Sequence, residues 1–437
     1  MTLARPDFLP VVLGGDIGAY SLARSFHEAY GTQALVASTR RCHLCGDSTI
    51  LDNVIMPELE DPAAFVDALL RLAEGRDERL LLLACGDWYV RLIVEHRAQL
   101  EGRFVIPYVD HALLDRLTEK DRFYDLCAEV GVPCPRTVAH DPAEPLDAGA
   151  LPFGFPLVAK PASSAAYHWA RFAGKRKVFF PADADELAEV LRGAREGGYR
   201  GKMLLQELLP GDDSQMRILT TYSDQAGKVR MAAFGQTLLE DRRPFGIGNP
   251  VAIVSRVDER VIDDARRLLE AVGYTGFANF DVRVDPRDGS HRFLEVNTRL
   301  GRSSYYVTAA GQNVARWLVG DLLGDGALPA GLTVARGESL YAVVPRDVLL
   351  REVADPALRA EVRRLYAAGR ACDPLAYRAE RRLRRRLYPL AARWRQRRAF
   401  RDAARRLAPN PATRAGGGAR REAVPAEAAA ERAGALA

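Results

Sequence analysis

No apolar run in this 437-residue chain approaches the ~18 residues that a membrane-spanning helix requires. The N-terminus has no cationic start leading into an apolar stretch, so the expectation is a cytoplasmic protein. Histidines are few, and no two sit at metal-ligand spacing. Cysteines are equally sparse. Only Cys42-His-Leu-Cys45 looks like half of a metal site, and no second pair stands at zinc spacing, so free thiols in a reducing compartment are expected. The expectation is therefore of neither metal chemistry through nitrogen or sulfur nor a disulfide framework.

What is present is the balance of a folded soluble protein, 48% hydrophobic and 27% charged, in a chain long enough for about three domains. The modest net charge of +5 conceals an asymmetry. Residues 378–406 hold 13 arginines against Glu380 and Asp402, so the first 377 residues are net acidic. A basic appendage is attached to an acidic body.

Along the chain, Leu9–Leu13 reads as a strand running into Gly14-Gly-Asp-Ile-Gly18 and a helical pattern from Tyr20 to Tyr30. Leu80–Ala84 ends at Cys85-Gly-Asp87, and Phe104–Pro107 ends at Tyr108-Val-Asp110. Strands that end in small or acidic residues and feed helices predict a parallel α/β layer with ligands at its carboxyl edge. Gly14-Gly-Asp-Ile-Gly18 lacks the spacing of a dinucleotide fingerprint, and a tight strand-to-helix turn facing a cleft is the better expectation. From about residue 116 the pattern turns mixed. Helix is expected over 115–130, 183–197 and 259–272, and strand over 156–160, 176–180, 204–209, 229–235 and 251–257. The expected division is an α/β domain over 1–115, a mixed α+β domain over 116–328, a helical arginine-rich extension over 329–407 and a disordered tail over 408–437.

The chemistry concentrates in Phe277-Ala-Asn-Phe-Asp-Val-Arg-Val284 and Phe293-Leu-Glu-Val-Asn-Thr-Arg-Leu-Gly301. On a strand, Glu295 and Asn297 leave the same face while Val296 points into a core. A hairpin through Asp285-Pro-Arg-Asp-Gly289 would set Asp281 beside them. Two carboxylates and an amide oxygen suit Mg2+, which leaves positions open for nucleotide phosphates. Lys160 closes a buried strand, Phe155-Pro-Leu-Val-Ala-Lys160, where a phosphate partner is favoured; Lys120 stands on a helix and says less by itself. Gln206-Glu-Leu-Leu209, followed by Pro210-Gly-Asp-Asp213, would offer peptide groups to an adenine edge and a carboxylate to a ribose, or would be an edge strand with a turn.

In this order the pieces resemble the ATP-grasp superfamily. Further segments, Ala84-Cys-Gly-Asp87, Gly273-Tyr-Thr-Gly-Phe-Ala-Asn-Phe-Asp281 and Gly301-Arg-Ser-Ser304 among them, bring the likeness nearest to the D-aspartate ligases of peptidoglycan cross-bridges. The resemblance implies a two-subdomain ATP-grasp fold over 116–328, with ATP and Mg2+ as cofactors. It places Lys120 and Lys160 on nucleotide phosphates, Gln206, Glu207, Leu208 and Leu209 on adenine, Asp213 on ribose, and Asp281, Glu295 and Asn297 on the metal. Arg299 and Arg302 become the catalytic candidates. The implied reaction joins a carboxylate, the β-carboxylate of D-aspartate, to a stem-peptide amine through an acyl phosphate. Alternatives are another amino acid or peptide acceptor, or a nucleotide-binding scaffold without activity. One departure is the segment after Lys160, which lacks the usual glycine-rich loop and leaves Ser163, Ser164 and Lys175 as phosphate candidates.

The basic appendage has three readings: anionic lipid headgroups, nucleic acid or the acidic body itself. Nucleic acid is not the expected partner. Arg393, Arg397, Arg398 and Arg401 are interspersed with Leu390, Trp394 and Phe400 without a clean apolar face, so the expectation is loose electrostatic contact with the inner membrane surface or a solvated helix, not insertion.

Overall fold

The computed structural model describes residues 7–163, 167, 169–243, 246, 248–324 and 328–407. Ser164 and the tail over 408–437, both named in the sequence analysis, lie outside the described residues.

Five strands form a parallel sheet: β1 (Phe8–Leu13), β2 (Ala34–Ser38), β3 (Leu51–Ile55), β4 (Arg79–Ala84) and β5 (Phe104–Val105), in the order β3-β2-β1-β4-β5. The order reverses direction between β1 and β4, which opens a crevice at their carboxyl ends, the position where such sheets receive ligands. Gly14-Gly-Asp-Ile-Gly18 is the tight turn from β1 into helix Ile17–Tyr30. Asp16 caps that helix by accepting from the Gly18 and Ala19 amides. A Cβ at Gly18 would come within 2.9 Å of Cys85 Cβ and 3.3 Å of Arg302 Cα, so glycine is what allows β1, β4 and the Arg302 segment to meet.

A small antiparallel sheet follows, β6 (Thr137–His140), β7 (Leu157–Pro161) and β8 (Met203–Glu207), in the order β6-β8-β7. Helix Ala184–Glu196 buries Leu187, Leu191 and Ala194 against Leu157, Ala159, Met203 and Leu205. The strand expected over 176–180 is absent: Phe179 makes only an isolated bridge to Ala159, and Val178 and Phe180 are exposed.

The largest sheet runs β13-β12-β9-β10-β11-β15-β16, with β14 beside β10. Its strands are β9 (Met216–Ser223), β10 (Val229–Glu240), β11 (Pro250–Arg256), β12 (Gly276–Val284), β13 (His291–Asn297), β14 (Thr333–Val334), β15 (Leu340–Ala342) and β16 (Ala371–Cys372). The last three come from the stretch read as a helical extension, so that stretch also completes this sheet.

Residues 371–385 return to the flank of the parallel sheet as a strap. Arg24 donates to the carbonyls of Asp373, Pro374 and Ala376 and lies between the rings of Tyr305 and Tyr377. Glu380 is buried and accepts from Tyr20 Oη at 2.9 Å, Ser48 Oγ at 2.7 Å and the Thr49 amide at 2.8 Å. Arg385, 1% exposed, lies 3.4 Å from Glu380 and over the Tyr20 ring. Part of the basic appendage is therefore packed into the acidic body. Helix Leu383–Leu407 continues from the strap.

Candidate active site

β12 and β13 form the expected hairpin, closed by the Gly289 amide donating to the Asp285 carbonyl. Asp281 lies opposite Glu295 and Asn279 opposite Asn297, while Val296 pairs with Phe280 in the core. The register shifts after Asp281, which leaves Leu294 as an extra residue on β13. Such a bulge re-aims side chains near functional sites.

The Asp281 and Glu295 carboxyls interact across the hairpin. Burial, with the charge of Glu295, pushes the Asp281 carboxyl well above its usual range. Burial also opposes ionisation of Glu295, but Lys120, the neighbouring Asp281 and Lys160 together hold it below its usual value. The two carboxyls oppose their joint ionisation, and a cation held between them would neutralise both. Lys120 Nζ stands 3.7 Å from Glu295 Oε2. Asn297 Oδ1 accepts from Arg299 at 3.2 Å. Among the described residues no three His, Cys, Asp or Glu side chains gather as a metal cluster, so a cation held here would use two carboxylates and the amide oxygen of Asn297. That hard-oxygen set fits magnesium and disfavours softer metals.

Lys160 ends β7 in a buried position, and burial lowers its pKa to about 8, with Glu295 acting against the shift. Its Nζ donates to Tyr124 Oη at 3.0 Å and to Gln206 Oε1 at 3.2 Å. Tyr124 Oη also accepts from Gln206 Nε2 at 2.9 Å and donates to the Leu294 carbonyl at 2.9 Å. One hydroxyl therefore ties helix Lys120–Val130, the small sheet and the bulged strand together. Sequence reasoning missed Tyr124, since a tyrosine at apolar spacing on a helix looks like core. Gln206 holds Thr137 as well. The Glu207 carboxylate is clasped by Arg136, and its amide donates to the Arg136 carbonyl. Leu208 and Leu209 lie just past the end of the strand. Asp213 turns away from them, accepting from the Glu240 amide at 2.9 Å and from Arg242 at 2.7 Å. Lys175 Nζ donates to the Ala170 carbonyl, and the Ser163 carbonyl accepts from the Tyr167 amide.

Arg299 and Arg302 reach into the crevice of the parallel sheet. Asp87, just past β4, takes Arg299 in a two-pronged pair at 2.6 and 2.8 Å. Asp16, just past β1, lies 2.9 Å from Arg302 Nε. Among the described residues no partner engages the terminal nitrogens of Arg302. Asp16 and Asp87 complete the set that the sequence signalled only as acidic strand ends. Cys42 and Cys45 donate to the Gly15 carbonyl as free thiols beneath this crevice.

Residues 250–317 match the family model of the carbamoyl-phosphate synthase L chain, ATP binding domain. The chain is 39% identical over 328 residues to D-aspartate ligase from Enterococcus faecium, a match covering 73% of this chain and 78% of that protein. Among solved structures it resembles N5-carboxyaminoimidazole ribonucleotide synthetase from Thermus thermophilus, with a TM-score of 0.54 and 21% identity over 76% of this chain and 82% of the other. It also resembles L-amino acid ligase from Bacillus licheniformis, with a TM-score of 0.52 and 18% identity over 73% and 75% of the two chains. These two likenesses speak for the fold alone. The long match to D-aspartate ligase, together with the family model, establishes that the chain belongs to the ATP-grasp family and is a carboxylate–amine ligase dependent on ATP and magnesium.

Proposed function

We propose that this ligase activates the β-carboxylate of D-aspartate and joins it to the side-chain amine of the third stem-peptide residue of a peptidoglycan precursor. The observation that carries the reading is Arg302, paired through Nε with Asp16 at the sheet crevice and without a partner for its terminal nitrogens among the described residues. A planar guanidinium fork suits a carboxylate. The relative's name supplies the choice of D-aspartate. Asp281, Glu295 and Asn297 would hold magnesium, which when bound would neutralise charge spreading over the phosphoryl oxygens. Lys120 and Lys160 hold phosphates, Gln206, Glu207, Leu208 and Leu209 form the adenine hinge, and Asp213 takes the ribose after releasing Arg242. The substrate carboxylate oxygen attacks the γ-phosphorus of ATP and ADP departs; the amine then attacks the acyl carbon and phosphate departs. Arg299 and Arg302 hold the second carboxylate and the transferring group.

The domain division at residues 115, 328 and 407 belongs to the same proposal, as does a cytoplasmic site of action against the anionic inner membrane surface. No helix among the described residues is long and apolar enough to cross a membrane. The test is ADP release across D- and L-amino acids, with and without precursor. Fastest turnover with D-aspartate plus precursor is expected, and faster turnover with D-alanine or L-aspartate would overturn the substrate assignment while leaving the ligase intact.

A further inference from the structure

Helix Leu383–Leu407 lies on the body by one side only. Arg385, Gln396 and Phe400 are buried, and Tyr388 and Ala392 pack against the core. With Phe400 turned inward, the outward side resolves into a pattern that the linear sequence hides. Leu383, Leu387, Leu390 and Trp394 are 69%, 50%, 60% and 58% exposed. At about 100° per residue their spacing puts all four within roughly 60° of arc, a single apolar stripe. Arg384 and Arg395 flank it on one side and Arg386 on the other, with Arg381 just before it. None of these four arginines has an acidic partner among the described residues, and Asp402 is the only acid between residues 381 and 407.

We infer that this face seats on a bilayer carrying anionic headgroups, with the leucines and Trp394 at the acyl boundary and the arginines on lipid phosphates. The inference deepens the membrane-surface part of the proposed function, but it rests on the helix's own face. Leucine side chains gain by leaving water for the acyl boundary, tryptophan favours the headgroup level, and arginine reaches out to phosphate. Nucleic acid would satisfy the arginines but leave three leucines against a polyanion. A second copy of the helix would cover the leucines but set arginine rows against each other. An anionic bilayer satisfies both components.

The experiment uses the full chain and sucrose-loaded vesicles, either of equal phosphatidylglycerol and phosphatidylcholine or of phosphatidylcholine alone; neither ATP nor amino acid is needed, so its failure is separate from failure of the ligase. Sedimentation with the anionic vesicles is expected, with at least ~10-fold weaker partition to the neutral ones. Replacing Leu387, Leu390 and Trp394 together by Ser should weaken anionic binding at least ~10-fold even at low salt, which purely electrostatic contact would not do. Replacing Arg381, Arg384, Arg386 and Arg395 by Gln should weaken it on the order of 100-fold and abolish the preference for anionic lipid. Turnover in solution and melting temperature report that each variant is folded. Should either variant melt early, tryptophan emission decides: anionic vesicles should blue-shift the parent chain, and the Trp394→Phe chain should lose that shift. Full binding by the serine variant, equal partition to both lipids, or retention of single-stranded RNA without vesicle uptake would each overturn the inference.

Discussion

Replacing Tyr124 by Phe removes one oxygen atom from the point where three elements meet. The oxygen accepts from Lys160 and Gln206 and donates to the Leu294 carbonyl, so its loss leaves a half-buried carbonyl without that donor and a buried ammonium with one acceptor fewer. Each such loss costs about 1 to 3 kcal/mol. Lys160 already titrates near pH 8 because it is buried. At pH 7.5 roughly three-quarters of the lysines are charged, and a further fall of about one unit, ~1.4 kcal/mol, would leave about one-quarter. In the free enzyme, kcat/KM for ATP should therefore fall at least about threefold at pH 7.5, and its alkaline limb should move toward neutral pH. Stability should run the other way. The folded chain sheds this proton near pH 8 while the unfolded chain keeps it to 10.5, so the Lys160 contribution grows more favourable as pH rises through that window. Tyr124→Phe assayed for kcat/KM across pH 6 to 10 tests this, and an alkaline limb identical to that of the parent would refute the link between hydroxyl and lysine.

Glu295→Gln removes a charged oxygen donor beside Lys120 and should slow ADP formation by roughly 10² to 10³; near-parent ADP release would sink the metal assignment. Arg302→Lys replaces a planar fork by a point charge and should raise KM for the amino acid about tenfold or more with little change in KM for ATP; equal changes in both would argue against a substrate contact. Glu380→Ala strands the buried Arg385 and should cost about 3 to 5 kcal/mol, seen as a lower urea midpoint; an unchanged midpoint would show that the strap contributes nothing to stability.

The carboxylate hairpin was legible because its two signals are local. Alternation fixes which side chains share a face, and the Asp285–Gly289 turn fixes which strands meet. The bulge at Leu294 was not, since nothing in the run of residues 293–297 marks where register slips. Asp16 and Asp87 could be read as acidic strand ends, but their arginine partners lie more than 200 positions away along the chain. The strand expected at 176–180 is reduced to a single bridge, Phe179 to Ala159 on β7, because the residues on either side of Phe179 are exposed and do not continue the ladder. Two- and three-residue strands such as β15 and β16 exist only because a sheet edge is waiting for them. The outward stripe of the final helix was obscured for a related reason: Phe400 reads as part of any apolar face until the body shows which way it points.

The strap has a consequence for how the chain is made. Tyr20, Ser48 and Thr49 are complete only when Glu380 arrives, 332 positions after Ser48. At synthesis rates of about 5 to 20 residues per second, that interval lasts roughly 20 to 60 s. For that time the parallel sheet can form its own hydrogen bonds while three polar groups on its flank keep their water, and the nascent domain stays open on the side that Arg24 and Glu380 later close. The ribosome must release residue 380 before the flank of the parallel sheet is finished.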